Sequence, residues 1–171
     1  MKLLRAVIAA VTLALCGPAL AQPTDVAVKA AFLPRFAKYV IWPAAAMPKG
    51  ADPFVLCLVG ADPFGAMLED AARSQSVDGR RIVVRRMETT TTINGCHIVY
   101  VGGNRVGQII GAIGARPILT VTDGAIGAQH GMIHFAIVSG RVRFYIDQTA
   151  ATQRGLQISS RLLALAVGVK Q

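Results

Sequence analysis

The run Phe54-Val55-Leu56-Cys57-Leu58-Val59 is apolar at every position and stops abruptly at Gly60-Ala61-Asp62-Pro63. Six uncharged apolar residues in succession suit a strand buried on both faces, which needs a sheet with helices packed on both sides. The turn leads into a short helix from about Phe64 to Arg73, giving a strand-turn-helix unit. The pattern then repeats. Asp78-Gly79 is a turn, Arg81 to Arg86 a strand, and Thr89 to Thr92 a polar connector. His97 to Val101 is a second strong strand that ends at Gly102-Gly103-Asn104. Asn104 is placed to cap a helix from about Arg105 to Ala115, carrying Val106, Ile109, Ile110 and Ile113 on one side, before a strand from Ile118 to Thr122. Strands alternating with helices predict an α/β fold, a single three-layer domain with a mixed, mostly parallel central sheet and flanking helices.

Two segments depart from that alternation. Upstream, Thr24 or Asp25 can cap a helix from Val26 toward Ile41, with Phe32, Phe36 and Val40 at i, i+4 and i+8. Pro34 should kink it or begin a second segment, Trp42-Pro43 should end it, and Lys29 at the edge of the stripe should snorkel. Downstream, Met132 to Val138 and Arg141 to Ile146 flank Ser139-Gly140 and read as an antiparallel hairpin. A two-residue turn fixes its register. Ile137 faces Val142, Phe135 faces Phe144 and Ile133 faces Ile146 on a core side, while Ala136 faces Arg143 and His134 faces Tyr145 on a polar side. Two short helices follow, the second from near Ser159, with Leu162, Leu165, Ala166 and Val169 sharing a face and Arg161 pointing away.

The chain carries 18 Lys and Arg against nine acids, a formal charge of +9, which brings nucleic acid or an acidic surface into consideration. The amino terminus bears on that question. Lys2 and Arg5 precede an apolar run from Ala6 to Leu15, too short to span a bilayer, and Pro18-Ala19-Leu20-Ala21 supplies a small-x-small cleavage site. Met1 to Ala21 therefore reads as a cleaved signal peptide, with residues 22–171 as the mature domain; a buried first helix is the alternative, but the run has no polar face. Leu15 before Cys16 does not suit lipidation. Export to a bacterial periplasm removes the chain from chromosomal nucleic acid, so no nucleic-acid partner is expected. The remaining charge then serves solubility, an acidic partner or an anionic membrane surface.

Loss of Cys16 leaves Cys57 and Cys96 in an oxidising compartment, where pairing is the default. Two buried free thiols packed as small hydrophobes are the alternative. The three histidines, His97, His130 and His134, lack the spacing that metal sites need, so neither metal nor cofactor is expected. Cys96 and His97 are adjacent and would point to opposite faces of a strand. No Gly-x-Ser-x-Gly elbow, P-loop or dinucleotide fingerprint occurs, and the carboxylates form no acid/base pair, so no enzyme is expected. Gly102-Gly103-Asn104, Gly60-Ala61-Asp62 and Thr122-Asp123-Gly124 nonetheless lie where α/β sheets place ligands. His134, Arg143 and Tyr145 could bind an anion or a partner's carboxylate, and Arg161 joins them as a candidate partner- or ligand-binding residue; a solvated or covered sheet face is the blander explanation. Arg80-Arg81 and Arg85-Arg86 read as strand-end charges.

Several blocks, weak singly but specific in order and spacing, carry a resemblance to the YfiR family of periplasmic regulators. They include Val28-Lys29-Ala30-Ala31-Phe32-Leu33 with Trp42-Pro43, Pro53-Phe54 with Cys57, and Gly60-Ala61-Asp62-Pro63-Phe64-Gly65. Cys96-His97-Ile98-Val99-Tyr100, Leu119-Thr120-Val121-Thr122-Asp123 and Gly155-Leu156-Gln157-Ile158-Ser159-Ser160-Arg161-Leu162-Leu163 continue the match. The resemblance implies a non-enzymatic repressor that binds the periplasmic sensor domain of a membrane-anchored diguanylate cyclase and lowers cyclic-di-GMP output. It also implies relief by an outer-membrane lipoprotein, a homodimer, and sensitivity to redox or envelope stress, with Cys57 and Cys96 matching a cysteine pair of the family. A small-ligand-binding module acting on another envelope signalling protein is the competing reading.

Overall fold

Alternation along the strand Phe54–Gly60 (β2) organises the molecule. Phe54, Leu56 and Leu58 point into one apolar core, and Val55, Cys57 and Val59 into a second on the opposite face. The computed structural model describes residues 23–88, 93–124 and 130–171; the signal-peptide reading and the connector Thr89 to Thr92 lie outside them. The other elements are α1 (Asp25–Phe32), a 3-10 turn (Pro34–Tyr39), β1 (Val40–Ile41), a three-residue 3-10 segment (Ala44–Ala46), α2 (Ala66–Arg73), β3 (Ser76–Val77) and β4 (Arg80–Met87). They continue with β5 (Ile98–Gly102), α3 (Val106–Ile113), β6 (Leu119–Asp123), β7 (Ile133–Val138) and β8 (Arg141–Asp147). Then come α4 (Gln148–Gln153), β9 (Gln157–Ile158), α5 (Ser160–Leu163) and β10 (Gly168–Lys170).

One eight-stranded sheet runs in the order β10-β8-β7-β6-β5-β2-β4-β3, and β1 pairs with β9 in a separate two-stranded sheet. Pairings are parallel from β4 through β7 and between β8 and β10; β7-β8 and β3-β4 are antiparallel. Helices α1, α2, α4 and α5 and the 3-10 turn cover the first core through Leu33, Phe36, Leu68, Ala151 and Leu162, while α3 covers the second through Ile109 and Ile113. This is the expected three-layer α/β domain with a mostly parallel centre. Phe36 anchors the first core, its ring 5.6 Å from Phe135 and 5.4 Å from Phe144.

The hairpin register holds at each predicted pair, Ile137 with Val142 through His134 with Tyr145. Four other expectations are corrected. Pro34, which lacks the amide needed to bond backward, does begin a second segment as expected, but that segment is a 3-10 turn ending at Tyr39, and the chain then extends as β1 instead of staying helical toward Ile41. Lys29 does not snorkel; it is buried and paired with Asp123 at 2.9 Å. Asn104 does not cap α3, whose cap position is Arg105 and carries no side-chain bond. Finally, α5 stops at Leu163, so Leu165 and Val169 share no helical face with Leu162. Gly168 packs its Cα against the Tyr145 ring, where a Cβ would come within 2.9 Å, and the chain runs on as the edge strand β10.

Candidate functional site

Parallel α/β sheets offer ligands a crevice at the carboxyl ends of strands, where successive crossovers leave in opposite directions. Here that point falls between β2 and β5, since α2 leads from β2 over one face and α3 leads from β5 over the other. The chain fills it with its own backbone. A Cβ at Gly60 would lie 2.3 Å from the Gly102 carbonyl oxygen, a Cβ at Gly102 would lie 2.0 Å from that of Ala61, and the Ala61 N–H donates to Gly102 O at 3.3 Å. The glycine-rich turns thus bring two strand ends into contact.

Polar groups around this end hold elements together. Asp62 accepts from the Phe64 N–H at 2.7 Å and from Arg86 Nε at 2.7 Å, and Arg86 also reaches Glu69 of α2. Arg86 is therefore the tie between β4, the turn and α2, more than the strand-end charge expected. Burial alone would raise the Asp62 pKa, but the Phe64 amide and Arg86 hold it below the usual carboxylate value, and Arg86 likewise lowers Glu69. The Lys29–Asp123 pair docks α1 on β6. Burial, with the Asp123 carboxylate beside it, pushes the Tyr100 phenol well above its ordinary pKa.

At the β10 edge a cavity of about 330 Å³ is lined by His130, His134, Tyr145, Asp147, Val169 and Lys170 among others. His134 on β7 is only 4% exposed, so the hairpin face expected to be polar is in part a second buried surface. Gly124 O, an acceptor only, lies 3.2 Å from His134 Nε2, which fixes the proton there; Nδ1 then accepts from the Thr122 hydroxyl at 2.8 Å, and Thr122 Oγ1 accepts from the Gly131 N–H at 2.9 Å. That chain ties β6 to β7 and leaves the histidine neutral, its pKa depressed first by burial. Asp147 caps α4 through the Ala150 N–H at 2.8 Å and pairs with Lys170 at 2.9 Å.

Of the four predicted binding residues, His134 and Tyr145 share this cavity, and Arg143 is exposed two residues along β8 on the same face. Arg161 is not brought to them. It is exposed on α5, which packs through Leu162 on the opposite side of the sheet.

A second cavity, of about 530 Å³, opens at the amino ends of β2, β5 and β6. Its lining includes Arg85, Arg116, Asp52, Asn94, Cys96 and His97. Cys96 is disulfide-bonded to Cys57 with the Cα atoms 5.8 Å apart, which ties the segment before β5 to β2. The Val55 N–H donates to His97 Nδ1 at 3.0 Å and the His97 N–H to Val55 O at 2.9 Å, while the imidazole stacks on Phe54 with centroids 4.3 Å apart. Burial lowers the His97 pKa, and an Nδ1 that accepts a backbone N–H must itself be unprotonated. Sequence reasoning noted Cys96-His97 and Arg85 separately but did not group them with Arg116, because these residues come from three separate elements.

Together these features define a three-layer α/β domain whose switch-point crevice is closed by backbone, and whose buried polar groups serve as ties. The chain belongs to the YfiR/HmsC-like family, whose model matches residues 26–167. That family is one of regulatory proteins. No curated protein matches the chain. Among the described residues, no helix is long and apolar enough to cross a membrane.

Proposed function

We propose that Met1 to Ala21 is removed during export and that residues 22–171 act in the periplasm, as a homodimer, by binding the periplasmic sensor domain of an inner-membrane diguanylate cyclase. Binding lowers cyclic-di-GMP output, and an outer-membrane lipoprotein competes to relieve it. The observation that carries this reading is the family match from residue 26 to residue 167, which begins just after the proposed leader and extends through α5. Repression requires differential affinity: the protein must hold the cyclase's inactive state more tightly than its active one.

A partner needs apolar contact area, and exposed apolar side chains flank β8 on both sides. Ile137 lies on β7, and Val167, 42% exposed, donates its N–H to Phe144 O at 3.0 Å, with Leu165 two residues earlier. The test is calorimetric titration of the purified mature chain into the isolated periplasmic segment of the host's membrane-anchored cyclase. Saturable binding is expected, and Leu165→Asp should weaken it at least about tenfold, as loss of an interfacial apolar anchor does, with the melting temperature unchanged. Absence of binding to every such segment in the host would refute the reading. The two cavities favour a second reading, a ligand-responsive module in which a bound small molecule alters the partner surface.

A further inference from the structure

We infer that the cavity at the amino ends of β2, β5 and β6 is a binding site for a small organic anion, a carboxylate or phosphate ester attached to an apolar body. Its volume, about 530 Å³, falls in the range of small-molecule sites. Two guanidinium groups reach it from different elements. Arg85 lies on the face of β4 that carries Val83 and Met87, and Arg116 lies in the turn between α3 and β6. Neither has a side-chain hydrogen bond or ion pair with a described residue, whereas Arg86, one position along, is fully engaged by Asp62 and Glu69. Asp52 is the only acid among the lining residues, so with His97 kept neutral the lining carries one net positive charge.

The same lining includes the apolar residues Ala45, Ala46, Met47, Pro48 and Pro53. A planar guanidinium pairs two oxygens of a carboxylate or phosphate at once, and the apolar part of the lining has no use for charge, so the cavity selects an anion with a hydrophobic remainder. Its floor is set in advance. The disulfide, the reciprocal Val55–His97 bonds and the Phe54–His97 stack fix the segment that carries Asn94, Gly95 and Cys96, so little ordering opposes binding.

The site goes beyond the repressor reading, and its test reads binding alone, so failure of one leaves the other standing. The disulfide-intact mature chain is titrated with benzoate and with phenyl phosphate, followed by amide chemical shifts. At least one probe should bind saturably, with the largest shifts at Gly95 to His97. Arg85→Gln and Arg116→Gln should each weaken it about tenfold or more, as expected for a lost charged hydrogen bond, while Arg141→Gln at the hairpin turn leaves it unchanged. Ala45→Phe, which fills the cavity without touching the charges, should abolish binding. Inorganic phosphate should bind more weakly than phenyl phosphate. The inference is overturned if neither aromatic probe saturates, if the double arginine variant binds as well as the parent chain, or if inorganic phosphate matches phenyl phosphate.

Discussion

Two histidines give the domain a dependence on acidity. His134 is clamped between Gly124 O and the Thr122 hydroxyl, and His97 accepts the Val55 N–H; both are buried, and burial lowers both pKa values. A depressed histidine pKa means that the unfolded chain binds more protons than the folded one, so stability is full at neutral pH. It falls as pH drops through the unfolded value of about 6.5 and levels off below the folded pKa. Asp62, Glu69 and Asp147 are depressed carboxylates, and their contribution is lost only at lower pH, as each falls through its folded pKa. The melting temperature should therefore decline in two stages on acidification. His134→Gln should lower stability at neutral pH and flatten the first stage, and an unaltered profile in that variant would contradict this assignment. His134's register was legible in the sequence because a two-residue turn dictates pairing. Its burial was not, since alternation only says which face a side chain is on, never what covers that face.

Elements meet in this fold through close backbone contact and covalent ties. At the β2–β5 contact Gly102→Ala would drive a methyl to 2.0 Å from Ala61 O, whereas Gly111 in α3 has nothing within 4 Å of its virtual Cβ. Gly111→Ala should stabilise by up to about 1 kcal/mol, the helix propensity difference, while Gly102→Ala should destabilise, both read by urea denaturation; the same sign in both would contradict the packing. The Cys57–Cys96 bond closes a segment of sequence separation 39, which on the chain-entropy model contributes about 4 kcal/mol. Labelling of the unreduced, denatured protein should find neither thiol, and reduction should lower the denaturation midpoint. Two labelled thiols without reductant would exclude the bond. Strand and helix order was readable because β2 and β5 are runs of largely apolar residues, β6 is rich in β-branched residues, and glycine or proline lies close to their ends. The ends were not. The edge strand β10 depends on Gly168 meeting Tyr145 of β8, a tertiary contact that no local pattern announces. The Lys29–Asp123 tie, 94 residues apart, was invisible because it joins distant elements, and helical spacing placed Lys29 only at the edge of the apolar stripe, as a side chain that snorkels.

For the whole molecule, a closed switch-point crevice, buried polar ties and family membership all fit a protein that acts by contact. The proposed repression is tested most directly by intracellular cyclic-di-GMP after deletion of the gene, measured beside a strain that also lacks the partner cyclase. Cyclic-di-GMP should rise in the single deletion and return to the parental level or below in the double deletion. Unchanged cyclic-di-GMP in the single deletion, or a rise that persists without the cyclase, would contradict the proposed repression.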